Sequence, residues 1–177
     1  MVLQDISFRI ETPAGEDRPR SVCSACGFVD YRNPRIVVGS VVVQGEGSSE
    51  QILLCRRAIE PRLGYWTLPA GYMETGEPTD TAAKREAREE AECELSLDGI
   101  LAVYDLTHLS QVQIIYRARL MGSQFGAGPE SLEVALFSWD DIPWDDLAFP
   151  SVAWALRHWR PGRGQPLGAP FRNPERG

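Results

Sequence analysis

Residues 71–93, which read GYMETGEPTDTAAKREAREEAEC, constrain the structure of this chain more than any other segment. A glycine and a proline precede a run of strong helix formers, which predicts a loop that leads into a helix. Residues three and four apart share one helix face, so Glu86, Glu89 and Glu90 should point roughly the same way. Carboxylates on one face repel each other, and a hard cation such as Mg²⁺ or Mn²⁺, which prefers oxygen ligands, relieves that repulsion.

A charged run such as KREAREEAE is also typical of a solvated helix face held by ion pairs four residues apart, and Arg85 and Glu89 have that spacing. The residues before the run favour a site, because Gly71 and Glu77 stand ahead of the predicted helix. Carboxylates that hold Mg²⁺ commonly face a phosphate ester or anhydride, so the segment indicates phosphate chemistry.

The same segment resembles the signature box of the Nudix hydrolases. That box has a glycine, a glutamate, Arg-Glu and Glu-Glu at fixed spacings, closed by a glycine and an aliphatic residue. Glu92 stands where the family has its final glycine, and Cys93 fills the closing apolar position. Because that glycine permits the turn out of the helix, the departure affects the helix exit more than the carboxylates. The positions that match in register are Gly71, Glu77, Arg85, Glu86, Ala87, Glu89 and Glu90.

The resemblance implies a divalent metal, Mg²⁺ or Mn²⁺, and hydrolysis of a diphosphate. It implies catalytic roles for Glu86 and Glu89, with one box glutamate as a candidate base. It also implies that Arg85 orients a carboxylate through a bidentate pair and does not touch substrate. The implied metal ligands are the backbone carbonyl of Ala70 and the side chains of Glu86, Glu89 and Glu90.

Many members of the family take a further acid from a loop far from the box. The candidates here lie in GPESLEVALF, where we favour Glu133 as a catalytic residue and place Glu130 second. Each could equally be a solvated loop acid. Arg56 and Arg57 follow an apolar run and are candidates for binding substrate phosphates, although a solvated strand end explains them as well.

A CxxCG knuckle, Cys23-Ser-Ala-Cys26-Gly27, predicts a tight turn that aims two thiols at one point. Together with NPRIVVG, LLCRRAIEPRLGYWTLPAGYME and DDIPWDDLAF, it resembles a narrower group, the zinc-ribbon Nudix hydrolases. That group includes enzymes that split FAD and ADP-ribose and typically carries two such knuckles. The chain has ISFRIETP where the earlier knuckle is expected, so zinc bound by Cys23 and Cys26 and a knuckle without metal both stay open.

Composition restricts the class of protein. The chain has 177 residues and a net charge of −7, which disfavours broad binding to nucleic acid or to anionic membranes. Its first residues carry early charges and no long apolar run, so we expect no signal peptide and a cytoplasmic protein. The four cysteines are then expected as thiols or metal ligands and not as disulfides. A homodimer is an expectation from the family alone.

The order of elements predicts an α/β protein. Residues 36–57 should form a β-hairpin of central strands, and ILAVYDL, VQIIYRARL and VALFSW further strands. A helix over SVAWALRHWR should close the domain, and the box helix should start with Thr79 or Asp80 as its N-cap. The resemblance implies the Nudix α/β/α sandwich with a mixed sheet. We divide the chain into an N-terminal extension with the knuckle (1–34), a Nudix domain (35–160) and a disordered tail (161–177).

The function expected from the resemblance is cleavage of a nucleoside diphosphate joined to another group, with ADP-ribose or FAD as the favoured substrates. NADH, dNTPs and RNA caps are alternatives within the family. A Nudix-derived sensor that binds a nucleotide without cleaving it is an alternative of another class. The intact glutamates argue against the sensor, because a protein that only binds does not need the whole carboxylate set.

Overall fold

The computed structural model describes residues 7–175, which divide between Pro34 and Arg35 into two compact units. The first unit is a three-stranded antiparallel sheet in the order β1-β2-β3. Its strands are β1 (Phe8–Glu11), β2 (Arg20–Cys23) and β3 (Val29–Asp30). The knuckle forms the turn between β2 and β3, where Gly27 has a φ of 75° that favours glycine. The Cys23 N–H donates to the Phe28 carbonyl at 2.8 Å.

A polar cluster holds the loop before β2 to the residue after β3. The Tyr31 hydroxyl donates to Glu16 at 2.8 Å, and the Arg20 guanidinium donates to the same carboxylate at 3.1 Å. The Arg20 guanidinium also lies over the Tyr31 ring, 5.4 Å from its centroid. We call Glu16, Arg20 and Tyr31 the N-terminal cluster.

The second unit is built on a mixed seven-stranded sheet with the path β10-β5-β4-β9-β8, to which β6 and β7 are added beside β5 and β4. Strands β4 and β9 are parallel, and the other pairs are antiparallel. The predicted hairpin of central strands is confirmed as the β4–β5 pair. The elements are β4 (Arg35–Gln44), β5 (Gln51–Arg57), β6 (Trp66–Thr67), β7 (Ala70–Tyr72), α1 (Thr79–Ala91), β8 (Leu95–Leu106), β9 (Gln111–Leu120), β10 (Ser131–Phe137) and α2 (Pro150–Trp159).

Strand β4 shows why helices cover both faces of the sheet. Successive side chains of a strand point to opposite faces, so its continuous valines feed two cores. Val41 and Val43 pack with the residues of α2, and Val38 and Val42 pack with the alanines of α1. The predicted α/β/α arrangement with a mixed sheet is confirmed.

Helix α1 begins one residue earlier than a Thr79 cap would require. Pro78 occupies the N-cap position with extended backbone and makes no side-chain cap bond. The Thr79 hydroxyl is instead 2.7 Å from the Tyr116 hydroxyl on β9. At the other end Glu92 adopts the left-handed conformation (φ 47°, ψ 37°), and its N–H donates to the Arg88 carbonyl at 3.1 Å. The helix exit is therefore kept although glutamate replaces glycine.

The C-terminal segment differs from its prediction. Disorder is expected from its glycine and proline content, but the segment makes tertiary contacts: Arg117 of β9 donates to the Gly162 and Gln165 carbonyls at 3.2 and 2.8 Å. Phe171 pairs with the backbone of β8: its N–H donates to the Leu101 carbonyl and its carbonyl accepts from the Val103 N–H, both at 2.9 Å. Its ring stacks on His158 at 4.5 Å, and Asn173 bonds both backbone groups of Asp105. A few side chains that find tertiary partners outweigh the local composition here.

Among the described residues, no helix has the length and apolar character needed to cross a membrane.

Candidate active site

Strand β7 and helix α1 bring two glutamates against the backbone. The Ala70 N–H donates to the Glu90 carboxylate at 2.9 Å. The Glu86 carboxylate lies so close to the Cα of Gly71 that a Cβ there would overlap it. Glu86 and Glu90 are only 7% and 6% exposed, which is rare for glutamate and requires compensation. Glycine at position 71 therefore makes room for a buried carboxylate.

Arg85 is the hub of the carboxylate cluster. Its Nη1 donates to Glu86 at 2.7 Å and to Glu89 at 3.0 Å. Its Nε and Nη2 form a bidentate pair with Glu77 at 3.1 and 2.7 Å, and Nη2 also donates to the Tyr72 carbonyl at 3.0 Å. The arginine thus ties the loop before α1 to the carboxylate face of the helix. We call Glu77, Arg85, Glu86, Glu89 and Glu90 the box cluster.

The raised pKa values of two box glutamates indicate that the box cluster has too little positive charge around its carboxylates. The pKa of Glu90 is raised to about 8, mainly by burial and also by the charges of Glu86 and Glu130, although the Ala70 N–H and the charge of Arg57 act in the opposite direction. Burial also raises the pKa of Glu86, against its bond from Arg85. The bond from Arg85 lowers the pKa of Glu77.

The donor set suits a hard cation, because it consists of carboxylate oxygens with excess negative charge. The carboxylates do not converge in advance: between residues 7 and 175, no three His, Cys, Asp or Glu side chains meet as a ready metal site. Arg85 lies between Glu86 and Glu89 instead. The Glu89 side chain is 55% exposed and can reorient, whereas Arg85 keeps its bidentate anchor on Glu77.

The two acids outside the box lie in different surroundings. The Glu130 charge raises the pKa of both Glu86 and Glu90, so its carboxylate is near the box cluster. Glu133 forms an ion pair with Arg56 at 3.6 Å instead. Of the two candidates, Glu130, the second choice from the sequence, is therefore the one whose charge acts on both buried carboxylates.

The two arginines at the end of β5 also differ in their contacts. Arg56 donates to the Gly64 carbonyl at 2.9 Å in addition to pairing with Glu133. Arg57 donates to the Pro61 carbonyl at 2.8 Å, and its guanidinium lies 5.3 Å from the centroid of the Phe149 ring. Its charge opposes the raised pKa of Glu90, which places Arg57 beside the box cluster.

Sequence reasoning missed Tyr72, which follows Gly71. Tyr72 is 47% exposed, and its backbone carbonyl accepts a hydrogen bond from Arg85. The Arg35 guanidinium lies 4.9 Å from the ring centroid, and Gln111 donates to the Tyr72 hydroxyl at 3.0 Å. These contacts hold an exposed aromatic ring in a fixed orientation. The only signal in the sequence was its position next to the box glycine.

The thiols do not fit a closed structural zinc site, which needs four ligands. The chain's cysteines are Cys23, Cys26, Cys55 and Cys93. Cys23 is buried and Cys26 exposed in the knuckle, while Cys55 and Cys93 are buried in the core of the second unit. A bond from the Cys26 backbone, the largest of several, lowers the pKa of Cys23. The knuckle therefore supplies only half of a zinc site.

A mixed sheet between two helices, with buried glutamates on one of them, is the arrangement expected of the metal-dependent hydrolases that the sequence resembles. The NUDIX domain model matches residues 33–158, and the model of the Nudix N-terminal zinc ribbon matches residues 7–32. The chain therefore belongs to the Nudix hydrolase family, which acts on small nucleotide substrates.

Similar proteins agree with this assignment. An ADP-ribose pyrophosphatase of Methanocaldococcus jannaschii is 27% identical over 67% of this chain and 69% of its own length. The NAD-capped RNA hydrolase NudC of Stutzerimonas stutzeri is 29% identical over 68% of this chain but only 42% of its own length. The crystal structure of a NUDIX hydrolase from Nitrosomonas europaea is 37% identical with a TM-score of 0.83, covering 98% of this chain and 99% of that one.

Proposed function

We propose that this protein hydrolyses the diphosphate of a nucleoside diphosphate joined to a second group, with ADP-ribose first and FAD second among substrates. The observation that carries the proposal is the burial of Glu86 and Glu90 against β7 with too little positive charge around them. Burying carboxylates that merely repel each other is costly, so the arrangement makes sense when a divalent cation joins it.

We assign Mg²⁺ or Mn²⁺ to Glu86, Glu89, Glu90 and the Ala70 carbonyl. When bound, the cation neutralises diphosphate charge and makes a water easier to deprotonate. Glu89 must exchange its bond with Arg85 for the cation, and its exposure permits this. Arg85 stays anchored on Glu77 and keeps the Glu86 carboxylate oriented through its 2.7 Å bond.

The reaction is a hydrolysis in which the oxygen of water bonds to one phosphorus and the bridging phosphorus–oxygen bond breaks. Both products are phosphate monoesters. The water's proton passes to a carboxylate, and we assign Glu130 to this role, with Glu133 second, because Glu133 is paired with Arg56. We assign Arg57, which is anchored on Pro61 and Phe149, to bind a phosphate oxygen.

The relative named ADP-ribose pyrophosphatase supports the choice of ADP-ribose. The exposed ring of Tyr72, held under Arg35, supports a substrate with a flat base, because an exposed aromatic face can stack on one. FAD contains the same adenosine diphosphate portion, so the same contacts accept it.

A substrate panel with Mg²⁺ or Mn²⁺ tests the proposal. It should include ADP-ribose, FAD, NADH, diadenosine polyphosphates, dNTPs and an RNA bearing an NAD cap, with products identified by mass spectrometry in ¹⁸O-water. We expect ADP-ribose to yield AMP and ribose phosphate, with one ¹⁸O in one product. Binding of ADP-ribose without any product, in the presence of metal, would instead support the sensor. Preferred cleavage of the capped RNA would favour the activity named for the NudC relative.

A further inference from the structure

The loop before β10 closes onto the end of the box helix. The last carbonyls of a helix have no partner within it and need donors from elsewhere. The Glu92 and Cys93 N–H groups supply Arg88 and Ala87 from within the chain turn. The carbonyls of the last two helix residues receive donors from the distant loop: Gly126 donates to Ala91 at 2.9 Å, and Gly128 donates to Glu90 at 3.2 Å.

The two glycines differ in how much space surrounds them. A Cβ at Gly128 would overlap the backbone carbonyl of Glu89, and Gly128 is buried. A Cβ at Gly126 would meet only the carboxylate end of Glu92, at 2.9 Å. A flexible side chain can move away from such a contact, whereas the helix backbone cannot. Gly128 is therefore the position at which loop and helix must touch.

The docked loop places a carboxylate. Glu130 follows two residues after Gly128 and is pinned on both sides. The Ser131 N–H donates to the Gly128 carbonyl at 3.0 Å, and the Ala58 N–H donates to the Glu130 carbonyl at 2.8 Å. The helix turn that Gly128 contacts also carries Glu89 and Glu90. The loop that carries Glu130 is thus joined directly to the helix turn that carries the box carboxylates.

We propose that Gly128 is a positioning residue: its contact with the last turn of α1 sets Glu130 against Glu86 and Glu90. The inference rests on the proposed function, in which Glu130 takes the proton from water. The loop and the helix then form one rigid unit, so the acid outside the box stays in register with the acids inside it. The absence of a side chain at position 128 is what keeps that register.

A double-mutant cycle tests the inference, with ADP-ribose and Mg²⁺ as the probe. Gly128→Ala should lower kcat about 30-fold with KM changed less than about threefold, because substrate binding does not depend on Glu130. Gly126→Ala is the matched control and should stay within about twofold of the wild type. In an Glu130→Gln background, Gly128→Ala should cost less than about twofold more, since residues that act as a unit are not additive.

A second variant covers the risk that Gly128→Ala does not fold. One glycine inserted between Pro129 and Glu130 leaves both docking amides in place but displaces the carboxylate, and should reproduce the loss of kcat. Amide exchange at Ser131, measured without substrate, should be slow in the wild type and in Gly126→Ala, and at least tenfold faster in Gly128→Ala.

The outcomes separate the two hypotheses. If the wild-type protein cleaves no substrate although the Ser131 exchange rates differ as expected, the proposed function is overturned. The catalytic role of the loop contact is then overturned with it. An active wild type with a fully active Gly128→Ala or insertion variant overturns the positioning role alone. Additive losses in the Glu130→Gln background would show that Gly128 acts through the general stability of the helix.

Discussion

The box cluster and the N-terminal cluster each join glutamate to one arginine, yet their environments differ. In the N-terminal cluster one carboxylate, Glu16, receives bonds from both Arg20 and Tyr31, and these bonds, the one from Tyr31 foremost, lower its pKa. In the box cluster a single arginine serves several carboxylates, and burial raises the pKa of Glu86 and Glu90. The N-terminal cluster therefore has enough donors for its carboxylate, whereas the box cluster has more carboxylates than its one arginine can neutralise.

Charge balance and burial together distinguish a structural cluster of charges from a candidate functional one. Balanced charges near the surface satisfy each other and contribute modestly to stability. An excess of one sign in a buried place is unfavourable by itself and indicates a missing partner, which perturbed pKa values at a cleft commonly mark. Four changes test whether this comparison holds.

The largest effect is expected for Glu89→Gln, which removes a proposed metal ligand and leaves the helix intact. Turnover of ADP-ribose should fall roughly a thousandfold, because the interaction lost is one that acts on the reacting phosphate. Steady-state kinetics with Mg²⁺ and calorimetry with Mn²⁺ would measure it. Glu94→Gln is the control, since Glu94 pairs with Arg88 at 2.6 Å and its side chain is exposed to a similar degree, 58% against 55%.

Near-normal turnover in Glu89→Gln would remove the box cluster from the proposed site. An equal loss in Glu94→Gln would show that any charge change at the end of the helix suffices.

The next effect is a pH dependence of stability in chelator, without metal. The pKa of Glu90 is raised from 4.5 to about 8 in the folded protein, so folding favours the protonated form. That contribution is fully present below about pH 4.5 and is lost as the pH rises through 8, for a change on the order of a few kcal/mol. Chemical denaturation between pH 5 and 9 would measure it, over roughly this window.

Glu90→Gln should remove this slope, because glutamine does not titrate. Glu16 in the N-terminal cluster has a lowered pKa, so its contribution to stability is lost as the pH falls and not as it rises. Glu16→Gln should therefore leave the slope between about pH 5 and 9 in place. A slope that survives Glu90→Gln would show that another group is responsible.

Tyr72→Ala should raise KM for ADP-ribose about tenfold with little change in kcat, because stacking on a base is worth about 1–3 kcal/mol. Tyr31→Ala is a close control in the other cluster. Both rings lie under an arginine, at 4.9 Å for Tyr72 and 5.4 Å for Tyr31, and both are about half exposed. Kinetics that change equally in the two variants, or in neither, would argue against base stacking at Tyr72.

The smallest effect concerns the one departure from the box. Glu92 holds a left-handed conformation (φ 47°) that costs a residue with a side chain about 1–2 kcal/mol more than glycine. Glu92→Gly should therefore stabilise the protein by about 0.5–1 kcal/mol after the entropy of glycine is counted, with unchanged kcat. Denaturant titration measures this, and a loss of activity would show that the Glu92 carboxylate has a role in the site.

Much of the fold follows from local pattern. The continuous valines of β4 predict a central strand with two buried faces, and the charged run after Pro78 predicts α1 with its carboxylate face. The C-terminal segment shows where local pattern fails. Its order depends on Phe171 and Asn173 finding His158 and the backbone of Asp105, and those contacts span distances along the chain that composition does not encode.

The candidate site divides in the same way. Its box residues could be found from their spacing, because a helix converts fixed spacing into one shared face. The choice between Glu130 and Glu133 could not, since it depends on how the loop meets the last turn of α1. The fixed orientation of the Tyr72 ring could not be found from the sequence for the same reason, since it depends on the approach of Arg35 and Gln111 from other strands.

The family, the mixed sheet between helices and the acidic face of α1 can be identified from the chain alone, because they depend on periodicity and on short, fixed spacings. Tertiary structure decided which carboxylates are buried, which acid approaches them and where the C-terminal segment lies. The physical reason is that burial and electrostatic coupling act through space, between residues that the chain brings together only after it has folded.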